Sequence, residues 1–482
     1  MKKTSKVNGR IPDRNLFAYA AGIAGQNMHY QFINGWLFYF CNNVLKISAE
    51  AVGYITSISR LWDSVNDPIL GALIDRHTFK KTGEKLRPLI VYLAPFIGIL
   101  SLLMFKSWGF TGTPAVVYIL ICYLIWDLVY SMQDVALWGM LALSSPNHQE
   151  RARASQWTAI GVTAGCAIAG LFPLIKDIAA NTFGASDKNI FFVAAAILGL
   201  GGQLISMSAG KMKETVSGDN KEKEGLLEAI FVLRHNKTLL GISVARILDC
   251  IKLSVPWAYF FESQVFYNIK GFEIGGGTAQ FVYGLITGAP GTLAMFAATR
   301  IVSLIGGMKK TLVVAKISSV IVRVIAYFIG FKSPVRMLFV VILMSLQSIP
   351  ENMINIAHRS LMSDSIDYVE YTTGKRTEGI TFSMQNFATK VGEAVSLFIN
   401  GQLLTLVGYN QNIAMTAQNA VFMKWQWPMF ILGPIVGAVL YLAAIIFVKD
   451  DDEQKKMIEA ELKKRREEIT EHAKEELNSI NA

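Results

Sequence analysis

The sequence predicts an all-α membrane protein with twelve transmembrane helices in two six-helix halves and both termini in the cytoplasm. Three observations lead to this class. Hydrophobic residues make up 52% of the 482 residues and charged residues only 17%, below the roughly 25% usual in soluble domains. Long apolar segments recur along the chain, and the basic residues lie mostly in the short loops between them. Disordered, collagenous and small disulfide-rich chains are excluded by the same composition.

A helix crosses the bilayer core with roughly 20 apolar residues. Twelve segments fit this length: 16–40, 50–75, 88–106, 114–142, 154–175, 188–210, 236–262, 276–301, 311–331, 335–360, 377–407 and 424–448. The charged stretch 211–235 is predicted to be a cytoplasmic linker that divides them six and six. The predicted units are therefore an N-terminal bundle (1–210), a C-terminal bundle (236–448) and a charged cytoplasmic tail (449–482).

Charge and cysteine usage support this topology. The loops predicted to be cytoplasmic contain 32 Lys and Arg residues, whereas the opposite loops contain eight. The formal charge of +10 does not indicate a nucleic-acid partner, because the basic residues form no groove-sized cluster. The first fifteen residues lack the apolar stretch of a signal peptide, so we expect the first helix to direct insertion. The four cysteines lie far apart without CxxC spacing, and neither structural zinc nor a disulfide framework is expected.

The second segment carries charges that are costly in a membrane and usually face a polar interior. Arg60, Asp63 and Asp67 fall on one helical face, with Asn66 beside them. Two carboxylates one turn apart repel each other unless a cation lies between them. Arg60 can balance one acid, and a monovalent cation or a proton can neutralise the other. The alternative is a structural ion pair between helices, but one arginine does not balance two acids.

The fourth segment has a polar stripe formed by Asp127, Ser131, Asp134 and Trp138. A carboxylate and an indole one turn apart suit a sugar, because the acid accepts hydrogen bonds from hydroxyls and the ring packs on the apolar sugar face. Ordinary helix packing by the tryptophan, with an acid facing water, is an equally good interpretation of the stripe alone.

The second half of the chain contains Lys390, which is expected to pair with a carboxylate of segment 2 or 4. A local pair with Glu393 is the alternative. Arg246 and Asp249 have the same i, i+3 spacing, and we interpret them as a structural pair. Segment 10 carries the polar stripe Gln347, Glu351, Asn355 and His358, which predicts pore lining. His358 is expected to make loop hydrogen bonds rather than relay protons.

Three stretches resemble the glycoside–pentoside–hexuronide:cation symporters, the melibiose permease family within the major facilitator fold. They are RLWDSVNDPILGALIDR at 60–76, MQDVALW at 132–138 and DSIDYVEYTTGKRTEGI at 364–380. With the twelve segments and their division, the resemblance covers essentially the whole chain. It implies a multi-pass protein of the cell membrane that is a transporter and not an enzyme. It implies no cofactor, only a coupling ion that is Na⁺ or H⁺.

The resemblance also implies roles for individual residues. The cation site would comprise Asp63, Asn66, Asp67 and Ser131, with Na⁺ or H⁺ at Asp63 and Asp67. Lys390, with Arg60, would couple the cation and sugar sites. The implied sugar contacts are Asn27, Asp134, Trp138, Gln385, Asn386 and Thr389. Asp75 and Arg76 end a GxxxDR pattern that resembles the cytoplasmic gate motif of the fold, the alternative being a topology signal.

The sequence departs from the family mainly around the sugar. Where relatives offer a Lys-Asp pair after a glycine, this chain has Gln26 and Asn27; it also has Ala159 in place of an arginine and Asn355 in place of an aromatic residue. The cation residues are retained while part of the sugar site differs, so an α-galactoside is not a safe assignment.

The resulting prediction is a cation-coupled importer of a glycoside or related sugar. Its partners would be that sugar, a monovalent cation and the lipid bilayer. A multidrug or amphiphile exporter of the same fold should have a more apolar cavity. A non-transporting membrane sensor or enzyme is not supported, because the sequence has no HExxH motif and no well-placed GxSxG motif.

Overall fold

The computed structural model describes residues 10–76, 78–79, 83–145, 147–215, 237–269, 272–373 and 378–448, with 457–458, 460–462 and 464–465 beyond them. Helices dominate the described residues. Those before the linker form the N-terminal set: α1 Asp13–Asn43, α2 Ala49–Arg76, α3 Arg87–Met104, α4 Thr113–Leu143, α5 His148–Gly170, α6 Phe172–Phe183, α7 Asp187–Ala194 and α8 Gly202–Ser206. A π-helical turn (Ala195–Gly201) joins α7 to α8, and a 3-10 turn (Met207–Lys211) follows.

The C-terminal set lies beyond residue 236. Its helices are α9 Lys237–Asp249, α10 Trp257–Gln264, α11 Gly276–Ala294, α12 Ala298–Ile305, α13 Met308–Ile329, α14 Pro334–Thr373, α15 Glu378–Leu406, α16 Ala420–Ile431 and α17 Gly433–Ile445. Short 3-10 turns occupy Met295–Ala297 and Met415–Ala417. The linker after residue 215 and most of the predicted tail lie outside the described residues.

Each predicted membrane segment coincides with helical structure over most of its described length. Within the described residues, seven stretches are long and apolar enough to cross a membrane: Arg87–Met104, Thr113–Leu141, Gln149–Phe183, Asp187–Lys211, Met308–Ile329, Pro334–Thr372 and Ala420–Ile445. The remaining helices are interrupted or carry several polar residues, so the number of twelve crossings stays a prediction, as does the orientation.

The all-helical prediction missed one small feature. Tyr267–Ile269 and Phe272–Ile274 form an antiparallel hairpin between α10 and α11, with Tyr267 opposite Ile274. Its β-branched and aromatic residues favour extended backbone. The hairpin is too short to alter the helical architecture.

Interruptions in the helices follow proline and glycine. Pro173 lies in the first turn of α6, immediately after α5 ends, and Pro434 does the same at the start of α17. The segment predicted as one helix over 236–262 is broken, because residues 250–256 are non-helical and Pro256 precedes α10. Proline lacks the backbone N–H that a continuous helix would need.

Close backbone contacts hold α1, which carries part of the site. A Cβ at Gly25 would lie 2.3 Å from the carbonyl oxygen of Gly202 on α8, and one at Gly165 of α5 would lie 2.3 Å from that of Ala24. Small residues allow such approach between membrane helices, where packing and not hydrophobicity drives association. Glycine at these positions therefore fixes α1 against α5 and α8.

Candidate functional site

A polar cavity of about 310 Å³ lies between the N-terminal set and α15. Its size is in the range of small-molecule sites. Side chains from α1, α2, α4 and α15 line it: Gln26, Asn27, Tyr30, Arg60, Asp63, Asp67, Asp127, Tyr130, Ser131, Asp134, Val135, Trp138, Asn386, Thr389, Lys390 and Glu393. Most of the residues singled out in the sequence are thus brought to one wall or another of a single cavity.

The centre of the cavity is an ion-pair network around Asp63, which is buried. Lys390 Nζ on α15 lies 2.7 Å from Asp63 Oδ2 and also contacts Asp67. Ser131 Oγ on α4 donates a hydrogen bond of 2.9 Å to Asp63 Oδ1. Three helices therefore meet at one carboxylate. The sequence predicts a cation between Asp63 and Asp67. In the structure the ammonium group of Lys390 contacts both acids at this place.

Glu393 pairs with an arginine and not with the neighbouring lysine. Arg60 Nε lies 3.6 Å from Glu393 Oε2, and the Arg60 guanidinium also donates to the side-chain oxygen of Asn34. Its Nη1 lies 3.8 Å from Asp63 Oδ2. Among the described residues, both ion pairs of Lys390 go to acids of α2, which agrees with the prediction of a partner on another helix.

Two further buried polar side chains lie near the acids of α2, and only Asp127 belongs to the cavity wall. Asp127 is buried on the cavity wall, and its Oδ2 has no hydrogen-bond partner within the described part of the chain. Asn66 is also buried, but it does not line the cavity and its Nδ2 lacks a described partner. Carboxylate, hydroxyl and carboxamide oxygens are ligands that hard cations accept. Among the residues described, no cluster of three or more Asp, Glu, His or Cys was found that would hold a metal ion.

The opposite part of the cavity has the features expected for hydroxyl recognition. Asp134 Oδ1 accepts hydrogen bonds from Trp138 Nε1 at 3.0 Å and from Gln26 Nε2 at 2.7 Å. The Trp138 side chain is 43% exposed and borders the cavity, so its ring can face a ligand. Asn27 Nδ2 donates to Gln26 Oε1 at 2.9 Å. Gln26 thereby ties α1 to the acid of α4 and holds the carboxylate in place.

Of the three predicted sugar contacts on α15, two line the cavity and one does not. Asn386 and Thr389 line the cavity. Gln385 does not, because its Oε1 faces Ser243 Oγ on α9 at 3.4 Å and the residue is 8% exposed. Adjacent helical residues differ in direction by about 100°. The expectation that Gln385 contacts ligand is therefore not matched by its position.

Several lining residues were absent from the predicted site. Asp127 shared the stripe of Ser131 and Asp134, so spacing alone would have included it. Gln26 enters the sequence prediction only as a departure from the family pattern and not as a site residue. Tyr30 and Tyr130 gave no signal, because a tyrosine in an apolar segment resembles ordinary packing.

Two predictions for the C-terminal set are wrong. Asp249 pairs with Lys316 on α13, at 2.8 Å, and not with Arg246, which donates to Asn355 Oδ1 at 3.4 Å. Lys316 also lies 3.1 Å from Glu351. The i, i+3 spacing favours a local pair, because spacing along the sequence does not show that Lys316 of α13 reaches Asp249 at the end of α9.

His358 is likewise placed differently from expectation. It lies within α14, is buried, and its Nε2 is 2.8 Å from Tyr441 Oη, so it makes a helix contact and not a loop one. The predicted gate residues Asp75 and Arg76 end α2, but their side chains lie outside the described part of the structure.

The two sets also bind each other near the α1–α2 connection, at what we call the closed end. Lys176 Nζ on α6 lies 2.7 Å from Glu262 Oε1 on α10, with both side chains largely buried. Tyr39 donates to the same carboxylate at 3.1 Å. Beside them, Asp177 accepts from the backbone N–H of Thr278 at 2.7 Å. These contacts join the two sets of helices at this end.

The chain matches the family model described as MFS/sugar transport protein over residues 18–452. It belongs to this family. The polar cavity between two sets of helices is consistent with that membership. The chain is therefore a multi-pass membrane transporter of the major facilitator type related to sugar symporters, and not an enzyme.

Relatives of known name are similar over most of their length. The isoprimeverose transporter of Lactiplantibacillus pentosus is 24% identical over 93% of this chain and 91% of its own. A putative 2,3-dihydroxypropane-1-sulfonate exporter of Salmonella typhimurium is 25% identical, covering 90% and 92%. The putative glycoside/cation symporter YagG of Escherichia coli is 24% identical, covering 82% and 84%. The crystal structure of the nucleoside transporter NupG has the same fold, with TM-score 0.61, 12% identity and coverage of 91% and 100%.

Proposed function

We propose that this transporter is a symporter that imports a sugar or glycoside with Na⁺ or H⁺ by alternating access. Twelve membrane spans, in bundles 1–210 and 236–448 joined by the linker 211–235, would carry the cavity, with both termini and the tail 449–482 in the cytoplasm. The observation that carries the proposal is the contact of Lys390 with Asp63 and Asp67, in a cavity whose far wall holds Asp134 and Trp138.

The proposed cation site is the place that the ammonium of Lys390 now occupies. A Na⁺ ion or a proton bound by Asp63 and Asp67 would remove the negative charge that holds Lys390 and would release it. Ser131 Oγ and the carboxamide oxygen of Asn66 are proposed as further ligands. Because Lys390 is on α15 and the acids are on α2, this exchange changes a contact between the two sets.

The proposed sugar site lies one helical turn along α4. Asp134 would accept hydrogen bonds from two hydroxyls, and the exposed Trp138 ring would cover an apolar sugar face. Asn27, Asn386 and Thr389 supply amide and hydroxyl groups around the same space. Lys390 contacts the acids of α2 and lines the same cavity as Asp134 and Trp138. Cation and sugar would thereby raise each other's affinity, a coupling usually of about 1–3 kcal/mol.

Alternating access requires contacts that break on one side while others form. With the proposed orientation, the closed end that contains Lys176 and Glu262 would face outward, and its contacts would close the cavity to the exterior. Asp75 and Arg76 are proposed to act at the opposite end, where they would hold the sets together after the exterior opens. The buried ion pair and the proposed gate would then alternate.

Sugar-stimulated ion uptake tests the proposal. Purified protein in liposomes is given a panel of sugars and glycosides, and entry of ²²Na⁺ and internal pH are recorded. We expect at least one sugar to drive Na⁺ or H⁺ entry, and an Asp63→Cys variant to lose the effect. Lys424→Gln, an exposed position away from the cavity, is the matched control. Ion entry that no sugar changes would contradict the proposal.

An exporter is the second candidate, because two relatives are named as putative exporters. The cavity argues against an amphiphile exporter, since carboxylates, amides and hydroxyls form most of its wall. Accumulation in right-side-out vesicles under an inward Na⁺ or H⁺ gradient distinguishes importer from exporter.

A further inference from the structure

A second polar cavity, which we call the C-terminal cavity, lies among α10, α11, α13, α14 and α16. Its volume of about 360 Å³ is somewhat larger than the 310 Å³ of the central cavity. A smaller cavity of about 250 Å³ shares Lys252 with the C-terminal cavity and shares Thr389 and Glu393 with the central one. Cavities that share wall residues adjoin each other. The C-terminal cavity therefore continues the polar space of the central cavity into the C-terminal set.

An exposed indole forms one wall of the C-terminal cavity. Trp257 begins α10 directly after the non-helical break, and the residue is 48% exposed. The ring of Tyr283 is nearly perpendicular to the indole at a centroid distance of 5.2 Å, and so is that of Phe430 at 6.3 Å. These contacts fix the plane of the indole and leave part of its surface free. Such a ring can pack on the apolar face of a sugar.

A carboxylate and an amide of α14 lie in the same cavity. Glu351 Oε2 accepts a hydrogen bond of 3.5 Å from Gln347 Nε2, and Glu351 Oε1 accepts one of 3.1 Å from Lys316 Nζ. The Glu351 side chain is still 43% exposed, so its oxygens have room for further donors. Gln347 and Glu351 both belong to the polar stripe that the sequence predicts to line a pore. A carboxylate held in this way can accept hydrogen bonds from sugar hydroxyls.

Two further polar groups on the wall have unused bonding capacity. Tyr283 is buried, and no hydrogen bond of its hydroxyl is found within the described part of the chain. Asn352 Nδ2 donates to the Ser348 carbonyl at 2.9 Å, but among the same residues no donor is found for its side-chain oxygen. Polar groups in a protein interior normally have partners. Gly284 and Gly288 of α11 also line the cavity, and a Cβ at either would meet no atom within 4 Å, so open space lies beside these groups.

We infer that the C-terminal cavity is a second carbohydrate site, in which a pyranose ring stacks on Trp257 and its hydroxyls donate to Glu351. This inference rests on the proposed sugar transport. Each set of helices then has an indole, a carboxylate and a glutamine that donates to the carboxylate: Trp138, Asp134 and Gln26 in one, and Trp257, Glu351 and Gln347 in the other. The bound ring belongs either to a second molecule or to the second ring of one glycoside.

The first test measures occupancy of the cavity without transport. All four cysteines are replaced by alanine, and Ser348→Cys places a reporter thiol on the cavity wall. Its rate of reaction with N-ethylmaleimide is measured in the presence of D-glucose, D-galactose, D-xylose or their methyl glycosides. We expect at least one pyranose to slow the reaction, and sorbitol, which has hydroxyls but no ring, to leave it unchanged. Ser254→Cys is the second reporter if Ser348→Cys is unreactive.

Tryptophan variants show which indole binds the protecting sugar. In Trp257→Leu the monosaccharide concentration for half-maximal protection should rise roughly tenfold, because the stacking surface is lost. Trp257→Phe keeps an aromatic ring and should give an intermediate value. Trp138→Leu should leave protection by a monosaccharide unchanged, since this indole borders the central cavity. Trp425→Leu, at an exposed position of α16 on neither cavity wall, is the matched control. Equal protection in Trp257→Leu and the wild type would overturn the inference.

The second test counts bound sugar by equilibrium dialysis, with the protecting monosaccharide and with a disaccharide that contains it. Two monosaccharides per chain, reduced to one in Trp257→Leu and in Trp138→Leu, would confirm two sites. One disaccharide per chain, bound more weakly in both variants, means that its two rings occupy both sites; two disaccharides per chain mean separate occupants. One monosaccharide per chain, with an affinity that Trp257→Leu leaves unchanged, would overturn the second site.

The tests separate the second site from the function on which it rests. Protection of the reporter by a sugar that drives no ion entry supports the site and counts against the symporter. Sugar-driven ion entry, with no pyranose protecting a reactive reporter, overturns the site and leaves the symporter in place.

Discussion

Lys176 on α6 and Glu262 on α10 form an ion pair of 2.7 Å that joins the two sets of helices at the closed end. Both side chains are largely buried, and Tyr39 adds a hydrogen bond to the same carboxylate. Breaking a buried pair by removing one partner usually costs about 3–5 kcal/mol, whereas removing both charges together costs much less. The pair is thus well suited to control opening.

The first prediction concerns this pair. Lys176→Gln should destabilise the closed state strongly, since it leaves Glu262 buried without its cation. The double variant Lys176→Gln, Glu262→Gln should fold and should open more often at this end. Labelling of a Leu37→Cys reporter from outside intact cells measures the opening. Unchanged labelling in the double variant, with transport intact, would show that the pair does not control access.

The second prediction concerns the acids of α2. Asp63→Cys or Asp67→Cys should abolish ion-driven accumulation while some sugar binding remains, because the proposed sugar contacts lie mainly on other helices. Accumulation and binding are measured on the same preparation, the first with an ion gradient and the second without. Wild-type accumulation in both variants would exclude the cation site proposed here.

The third prediction concerns Ser131, whose hydroxyl donates to Asp63. Ser131→Ala should weaken Na⁺ affinity roughly tenfold, because it removes a proposed oxygen ligand, whereas it should strengthen H⁺ binding, because the Asp63 carboxylate loses a donor that stabilises its charged form. The concentration of Na⁺, or of H⁺, that gives half-maximal sugar uptake is the measurement. Ser155→Ala is the matched control, because within the described part of the chain the hydrogen bond found for that hydroxyl goes to the carbonyl of Arg151 in its own helix. An equal effect in both variants would point to general destabilisation.

The fourth prediction concerns Lys390. Lys390→Val should leave two acids of α2 without their internal cation, so ion binding persists but sugar accumulation fails. The double change Lys390→Gln, Glu393→Gln should not restore it, because Glu393 lies beside Arg60 in the structure. Uptake at several ion concentrations reports whether cooperativity between ion and sugar has dropped. Full recovery in the double variant would mean that Lys390 acts only through Glu393.

The fifth prediction concerns Gln26, which the sequence analysis did not assign to the site. Gln26→Leu removes the donor that holds Asp134 against Trp138. Sugar affinity should fall roughly tenfold while the cation concentration for half-maximal uptake changes little, because Gln26 does not contact the acids of α2. Equilibrium binding of the transported sugar gives the first quantity. A larger change in cation dependence than in sugar affinity would contradict the assignment of Gln26 to the sugar site.

The sequence was informative where a polar residue stands out against apolar neighbours. Asp63, Asp67 and Lys390 were found in this way, because an ionisable side chain in a membrane segment needs a special environment. Trp138 and Asp134 were also found, since a single helix with i, i+4 spacing brings them together. Helix positions were predictable for the same reason, as apolar length is a property of the local sequence.

Contacts between helices were less predictable. Asp249 was assigned to the nearest arginine, but packing places Lys316 of another helix beside it. Gln26 looked like an ordinary amide until α1 and α4 were placed side by side. The break at 250–256 was hidden inside an apolar segment, because Pro256 marks where a helix can begin as well as where one is interrupted. Tertiary packing decides all three cases.

The glycine contacts of α1 have a consequence for how the protein can move. Gly25 packs directly against α8, and Gly165 packs directly against α1. The backbones of these helices are therefore in contact, with no side chains between them that could rearrange. Gly53 on α2 likewise lies against Gly401 on α15, where an added Cβ would be 3.1 Å from the opposing Cα. The first contacts stiffen one set of helices, whereas the last provides a smooth surface between the sets. We therefore expect the two sets of helices to rotate as rigid bodies about the Gly53–Gly401 crossing, with little bending inside the N-terminal set.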